Sequence, residues 1–198
     1  ARSPDPLNSA MALGWLGVAW LEHGDLAQAV SRLEEALRLC EQLRFRQPQA
    51  WFAAFLAEAH RRAHRLETAL DVASKGLEVA RATGSTLGVG WTERTLGHIA
   101  RARGALADAD DHLAEALRAF ETVEAAYEIA RTRLDQAALA QARGDRAAAA
   151  DHLAEAGRRF QALDVPRWLE QVEARARDWG QSPCPRFTPP AAGPLDLR

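Results

Sequence analysis

The sequence predicts an all-α protein, a right-handed superhelix of four helical hairpins closed by a C-terminal capping helix. Three observations lead to this prediction. The 198-residue chain contains 43 Ala and 24 Arg, two residue types that favour helices. All nine prolines lie outside residues 49–165, so none interrupts a helix there. Turn sequences also recur every 40 residues, which is typical of stacked helical repeats.

The 40-residue repeat is read from four turns centred on Gly24, His64, Gly104 and Gly144. Residues 102–120 and 142–160 agree at 13 of 19 positions, including the same Asp-His-Leu-Ala-Glu-Ala sequence. Gly24 and Gly144 are each followed by Asp, so one helix is expected to end at Gly and the next to be capped by Asp. At His64 a bulkier residue replaces Gly, which predicts either a slightly strained turn or a turn of different geometry.

Each repeat predicts a helix A followed by a helix B. We expect A helices near 8–23, 48–63, 88–103 and 127–143, and B helices near 26–43, 66–83, 106–123 and 146–163. The first B helix illustrates the pattern, because its apolar residues recur at helical spacing on one face. These residues are Leu26, Val30, Leu33, Leu37, Cys40 and Leu43.

The repeats are bounded by segments of different character. Pro166 suits the first turn of a last helix ending near Trp179, which is expected to pack on the fourth hairpin. Its residues facing that hairpin are predicted to be Trp168, Leu169, Val172 and Ala176. The predicted organisation is a leader at 1–7, repeats at 8–47, 48–87, 88–127 and 128–163, a capping helix at 164–180 and a Pro-rich disordered tail at 181–198.

Composition excludes several classes of function. Lys75, the single lysine, is followed by Gly76, so a phosphate-binding loop ending in Lys-Ser or Lys-Thr is absent. The net charge of −2 gives no reason to expect nucleic acid or a membrane surface as partner. Cys40 and Cys184 lie far apart, and there is no signal peptide or long apolar run, which favours a cytoplasmic protein. Because the chain starts with Ala1 rather than Met, we expect it to be part of a longer protein.

Small residues at fixed offsets indicate where helices A and B approach closely. In every repeat, three positions separated by 12 and 7 residues hold Gly or Ala: Gly17, Ala29, Ala36; Ala57, Ala69, Gly76; Gly97, Ala109, Ala116; and Ala137, Ala149, Ala156. This pattern, with Leu16-Gly17 followed by Trp20, resembles the tetratricopeptide repeat over residues 8–163. The chain departs from that family in lacking the proline that ends helix B. The six additional residues per repeat are expected to lengthen helix B and its connection.

Ala- and Arg-rich repeats of 40 residues resemble those in the C-terminal arms of large bacterial regulators. These include proteins of the maltose-regulon activator type, related STAND ATPases with LuxR-type DNA-binding ends, and adenylate cyclases carrying an ATPase module. The resemblance implies a sensor or interaction arm that binds a protein, peptide or small effector, with ATPase and output domains upstream. The alternative is a free-standing scaffold that self-associates through the first hairpin.

The same resemblance implies that the A helices line a concave face. Carrying one stripe of the first A helix forward by 40 residues brings aromatic and basic side chains to its centre. The candidate partner-binding residues are Trp51, Glu58, Arg61, Arg62, Trp91, Arg94, His98, Arg101 and Arg131. They suit an acidic or aromatic-bearing peptide. The alternative is that both tryptophans fill gaps between repeats and the arginines pair with carboxylates of the B helices.

No catalytic or metal site is expected. His60 and His64 are spaced i, i+4, but the zinc-protease pattern requires Glu where Arg61 stands. The Asp-His pairs at 111–112 and 151–152 recur with the repeat and lack a nucleophile partner. The sequence therefore predicts a binding module without a cofactor rather than an enzyme.

Overall fold

The computed structural model describes residues 5–180, and its regular structure is helical throughout that range. The helices are α1 (Pro6–His23), α2 (Leu26–Gln42), α3 (Arg46–Arg62), α4 (Leu66–Ala82), α5 (Thr86–Ala102), α6 (Leu106–Thr122), α7 (Ala126–Ala142), α8 (Arg146–Ala162) and α9 (Pro166–Asp178). The all-α prediction is confirmed, and every predicted helix boundary lies within two residues of the observed one. The predicted tail at 181–198 lies outside the described residues.

The turns repeat every 20 residues rather than every 40. Positive φ angles occur at Gly24 and Arg44, and then at every twentieth residue as far as Asp164. In each turn the residue after the positive-φ position donates its amide hydrogen bond to the carbonyl five residues earlier, at 2.8–3.2 Å. This is the Schellman arrangement, which satisfies carbonyls left free at a helix end.

Helices α2 to α8 each contain 17 residues and are joined by three-residue connections. The expectation that the additional residues lengthen helix B and its connection is therefore wrong, because A and B helices are equally long. The strain expected at His64 is present, since its φ is 59°. Arg44, Glu124 and Asp164 adopt the same left-handed conformation, which costs a non-glycine residue free energy.

Arg44→Gly is expected to stabilise the protein. The left-handed conformation costs an L-residue about 1–2 kcal/mol, and glycine's extra backbone entropy in the unfolded chain offsets only part of that gain. The matched control is Arg38→Gly, at an exposed arginine inside α2, where glycine should destabilise by about 1 kcal/mol. Urea unfolding of both variants measures the difference, and a destabilised Arg44→Gly protein would contradict the argument.

Helix starts are capped where the sequence supplies a suitable side chain. The Asp25 carboxylate accepts from the amide of Gln28 at 3.0 Å, and the Asp145 carboxylate accepts from that of Ala148 at 2.9 Å. Both caps follow a positive-φ glycine, as the sequence predicts. At Ser85 the hydroxyl caps α5 in the same way, through the amide of Gly88 at 3.3 Å.

The helices form two layers. The inner layer consists of the A helices α1, α3, α5 and α7, each packed directly on the next, whereas the B helices of the outer layer pack mainly on the A helices beside them. All twelve small residues of the sequence pattern are buried between the layers. A Cβ atom at Gly17 would lie 2.7 Å from Cγ of Leu33, so the close approach at that position requires glycine.

An aromatic stack attaches the capping helix α9 to the fourth hairpin. The rings of Phe160 and Trp168 are stacked with centroids 5.3 Å apart, and Tyr127 meets both edge-on. Val172 and Ala176 of α9 are buried against the same cluster. The predicted packing face of the last helix is thus observed, and it brings α9 to the end of the inner layer.

Candidate functional site

The inner layer encloses an open cavity of about 260 Å³ between α3, α5, α7 and α9, here called the inner cavity. Its lining residues are Glu58, Arg61, Arg62, His98, Arg101, Arg131, Leu134, Asp135, Trp168, Gln171 and Arg175. Six of the nine residues predicted from the sequence are among them. Trp91 and Arg94 line a smaller adjoining pocket of about 20 Å³, together with Glu58, Arg62, His98 and Arg131.

Glu58 on α3 is the centre of the hydrogen-bonded charges at the cavity. Arg61 donates to both of its carboxylate oxygens, at 2.7 and 2.8 Å, and Arg62 donates a third hydrogen bond at 2.7 Å. Nδ1 of His98, on the neighbouring α5, lies 3.4 Å from Glu58 Oε2. On the other side of the imidazole, Nε2 lies 3.0 Å from Oδ2 of Asp135 on α7. A single chain of charges thus connects three consecutive A helices.

Neighbouring charges determine the protonation states of Glu58, His98 and Asp135. Burial alone would raise the pKa of the Glu58 carboxyl, but hydrogen bonds from Arg61 and His98 and their charges hold it well below its ordinary value. Burial would lower the pKa of His98, but Asp135 and Glu58 raise it above its ordinary value. Burial likewise opposes ionisation of Asp135, yet the charges of His98 and nearby arginines lower its pKa. The geometry therefore favours an imidazolium held between two carboxylates.

We expect the His98 contribution to stability to be lost as pH rises. A pKa that is higher in the folded state means that the folded protein binds the proton more tightly, so this stabilisation is complete below the unfolded pKa of about 6.5. It disappears as pH increases through the folded pKa. The free energy of unfolding measured from pH 5 to 9 should therefore decline less steeply in His98→Gln than in the unsubstituted protein.

His152 provides a control of opposite sign. Burial and then the charge of Arg133 lower its pKa, so its contribution to stability is lost as pH falls rather than as it rises. His152→Gln should accordingly reduce the loss of stability at acid pH. If both substitutions changed the pH dependence of the free energy of unfolding in the same direction, the raised pKa of His98 would be contradicted.

Two further ion pairs connect the inner layer. Arg94, which is 5% exposed, pairs with Glu128 of α7 at 2.5 Å, and its guanidinium lies over the ring of Phe120 at 5.3 Å. Arg131 lies 3.7 Å from Glu22 at the end of α1. This last contact joins the first and fourth hairpins, so the inner layer curves tightly enough to bring its two ends together.

The two tryptophans predicted for the site pack against each other. The indole of Trp51 donates to the Ser85 hydroxyl at 3.0 Å, and its ring meets Trp91 edge-on with centroids 6.1 Å apart. Trp51 does not line the inner cavity, and its contacts agree with the alternative in which tryptophans fill gaps between repeats. The other part of that alternative is wrong for Arg61, Arg62, Arg94 and Arg131, because the carboxylates they meet belong to A helices rather than B helices.

Sequence reasoning missed several lining residues. Asp135 occupies the position of Trp15, Phe55 and Thr95 in the other repeats, outside the stripe carried forward by 40 residues. Trp168, Gln171 and Arg175 belong to α9, which lies after the last repeat, so the repeat register does not predict their direction. The spacing of Trp168, Gln171 and Arg175, which is that of one helix face, is the signal that could have found them.

The two histidines spaced i, i+4 lie in different environments. His60 is buried, whereas His64 lies in the turn after α3, so this i, i+4 pair does not converge. Within residues 5–180 no group of three or more His, Cys, Asp or Glu side chains is placed to hold a metal ion. In the same range no helix has the length and apolar character needed to cross a bilayer.

Comparison by sequence finds no matching family model and no matching curated protein. Comparison by structure finds helical-repeat proteins. Aspartyl phosphate phosphatase F from Bacillus subtilis superposes with a TM-score of 0.75 and 13% identity, over 91% of this chain and 48% of that chain. A Rap protein complexed with Competence and Sporulation Factor has a TM-score of 0.75 and 15% identity, over 90% and 57%.

A third similar structure is a putative kinesin light chain from Podosopora anserina with nearly identical TPR-like repeats. It has a TM-score of 0.58 and 17% identity, and the match covers 89% of this chain and 99% of that chain. The present chain spans about half the length of the phosphatase chain. At these identities the likeness concerns the fold, and the fold is a superhelix of TPR-like helical repeats.

Proposed function

We propose that this chain is a protein- or peptide-binding module whose partner lies against the inner layer and reaches the inner cavity. The observation that carries the proposal is the composition of the cavity wall, where five arginines and His98 face two carboxylates, Glu58 and Asp135. The excess positive charge favours an acidic partner. The similar Rap protein was solved in complex with Competence and Sporulation Factor, which supports a binding role for this fold.

Site-specific photo-crosslinking tests the proposal. A photo-crosslinking amino acid replaces Ala138, which holds in α7 the position of Glu58 in α3 and His98 in α5. The control position is Arg38, an exposed residue of the outer layer. We expect a partner to crosslink from position 138 in cells and to be identified by mass spectrometry. Crosslinks from position 38 alone would contradict the proposal.

We further propose that the module is the C-terminal sensor arm of a larger bacterial signalling or transcription regulator. The support is the resemblance of its 40-residue, Ala- and Arg-rich repeats to those of such arms. The complete reading frame tests this context. We expect an ATPase, cyclase or DNA-binding segment upstream, and a complete frame without any of them would contradict the proposal.

The second candidate, a scaffold that self-associates through the first hairpin, is favoured by one observation. Leu16 on α1 is 44% exposed, whereas Leu56 and Leu96, at the same position in the next two repeats, are each 5% exposed because the preceding hairpin covers them. A second copy of the chain packed on α1 would cover Leu16 and the neighbouring Trp15. Light scattering should then detect a dimer that Leu16→Glu dissociates, and a monomer at high concentration would exclude this candidate.

A further inference from the structure

Two arginines at the inner cavity differ from the others because neither forms a direct ion pair with a carboxylate among residues 5–180. The remaining cavity arginines are engaged: Arg61 and Arg62 by Glu58, and Arg131 by Glu22. Arg101, at the end of α5, is exposed and makes no side-chain hydrogen bond or ion pair in the described part of the chain. Arg175 on α9 has its Nη1 atom buried without a hydrogen-bond partner.

The surroundings of Arg175 make its charge unfavourable in the free protein. Burial lowers the pKa of its guanidinium; the charge of Asp135 raises this pKa, and the neighbouring charge of Arg101 lowers it. Since a guanidinium stays protonated in proteins, the result is two neighbouring positive charges rather than a neutral group. An anion between them would relieve both the repulsion and the unmet hydrogen bond.

We propose that Arg101 and Arg175 form a binding site for one oxyanion group, a phosphate or a carboxylate, carried by the ligand of the inner cavity. This inference rests on the proposed function and states the chemistry that its cavity recognises. Arg175 provides the buried donor and Arg101 the donor at the mouth. Gln171, one turn before Arg175 on α9, and Trp168 also line the cavity, so an amide donor and an indole ring are available to the same ligand.

The volume of the cavity, about 260 Å³, indicates the size of the group that fits inside it. It is slightly less than that of the smallest pockets for drug-sized ligands, about 300 Å³. Because the cavity is open to solvent, the rest of a larger ligand can lie outside it. The cavity therefore suits a phosphate with its immediate substituent, or one carboxylate-bearing side chain of a peptide.

Thermal unfolding in inorganic phosphate at constant ionic strength tests the site. We expect the Tm of the unsubstituted protein to rise with phosphate concentration, because a ligand that binds only the folded state stabilises it. The rise should be lost in Arg175→Gln and at least halved in Arg101→Gln. Arg177→Gln, at an exposed arginine of the same helix that does not line the cavity, should keep the full response. An equal response in Arg175→Gln and the unsubstituted protein would overturn the proposal.

A second arm distinguishes the source of the oxyanion. A glutamate-containing hexapeptide and its glutamine counterpart are titrated against phosphate-loaded protein. Displacement of phosphate by the glutamate peptide alone identifies a peptide side chain as a competent source. Displacement by neither peptide shows that the site prefers phosphate to a glutamate side chain, and either result supports the site.

Failure of this inference can be told apart from failure of the proposed function. If the protein binds neither phosphate nor the peptides but a partner still crosslinks from position 138, the oxyanion site is overturned and partner binding remains supported. A phosphate response that depends on Arg175, without any partner crosslink from position 138, supports the site and contradicts the binding of a protein or peptide.

Discussion

Glu58→Gln should lower the free energy of unfolding by about 3 kcal/mol, at the lower end of the range for breaking a buried ion pair. Glu58 is 8% exposed and receives hydrogen bonds from Arg61 and Arg62 as well as the contact with His98. The amide keeps the shape of the side chain but leaves three cationic groups without their shared anion. Arg61 and Arg62 reach water in part, so some of the loss is recovered by hydration.

Glu155 provides a matched control on the outer layer. Glu155 forms ion pairs with Arg158 and Arg159 at i+3 and i+4. This is the spacing of the Glu58 pairs, but Glu155 is more exposed than Glu58. Exposed pairs of this kind contribute about 0–1 kcal/mol, so Glu155→Gln should cost less than 1 kcal/mol. Urea unfolding of both variants measures the difference. Equal losses would show that the position of Glu58 at the inner cavity adds nothing to a local helical ion pair.

Phe120→Ala should destabilise the protein by about 3–5 kcal/mol, the usual cost of removing a buried phenyl ring. Phe120 is fully buried on α6, between α5 and α7. Its ring also supports Arg94, whose guanidinium lies over it and pairs with Glu128. Such a loss is a large part of the 5–15 kcal/mol typical of a folded domain, so the variant is best measured by urea unfolding at low temperature.

Two further variants test whether the loss of stability in Phe120→Ala comes from removing the phenyl ring. Val123→Ala, at a side chain 41% exposed three residues later, should cost less than 1 kcal/mol. A Cβ atom at Gly90 would lie 2.5 Å from the Phe120 ring, so Gly90→Ala should destabilise the unsubstituted protein by about 1–3 kcal/mol. In the Phe120→Ala background the same change should be neutral or stabilising. Equal costs in both backgrounds would mean that the ring does not fill the space at Gly90.

Much of the fold could be predicted because the repeat marks its helix ends with residues of clear preference. Glycine at 24, 104 and 144 ends a helix through its left-handed conformation, and Asp25 and Asp145 begin the next through capping hydrogen bonds. The turns at Arg44, Glu124 and Asp164 could not be recognised in this way. Charged residues there adopt the same conformation at an energetic cost met by the packing of the helices on either side.

The position of Glu58, His98 and Arg131 on the concave face could be predicted because they lie on A helices whose register repeats every 40 residues. Their partners could not, since a repeat pattern indicates which way a side chain faces but not which charge it meets. Asp135 stands where other repeats hold aromatic or hydroxyl side chains, and Arg175 lies on a helix beyond the last repeat. Both depend on the curvature that brings α7 and α9 to the cavity.

The 20-residue spacing of the turns means that helix length and turn geometry do not distinguish one layer from the other. Only the side chains decide which helix becomes inner and which outer, chiefly the small residues buried between the layers and the charges at the cavity. Deleting 40 residues between equivalent turns should therefore shorten the superhelix and keep every remaining helix in its layer. Deleting 20 would place two helices of the same type in succession, so the alternation of layers could continue only with the arginines of later A helices turned towards the outer surface.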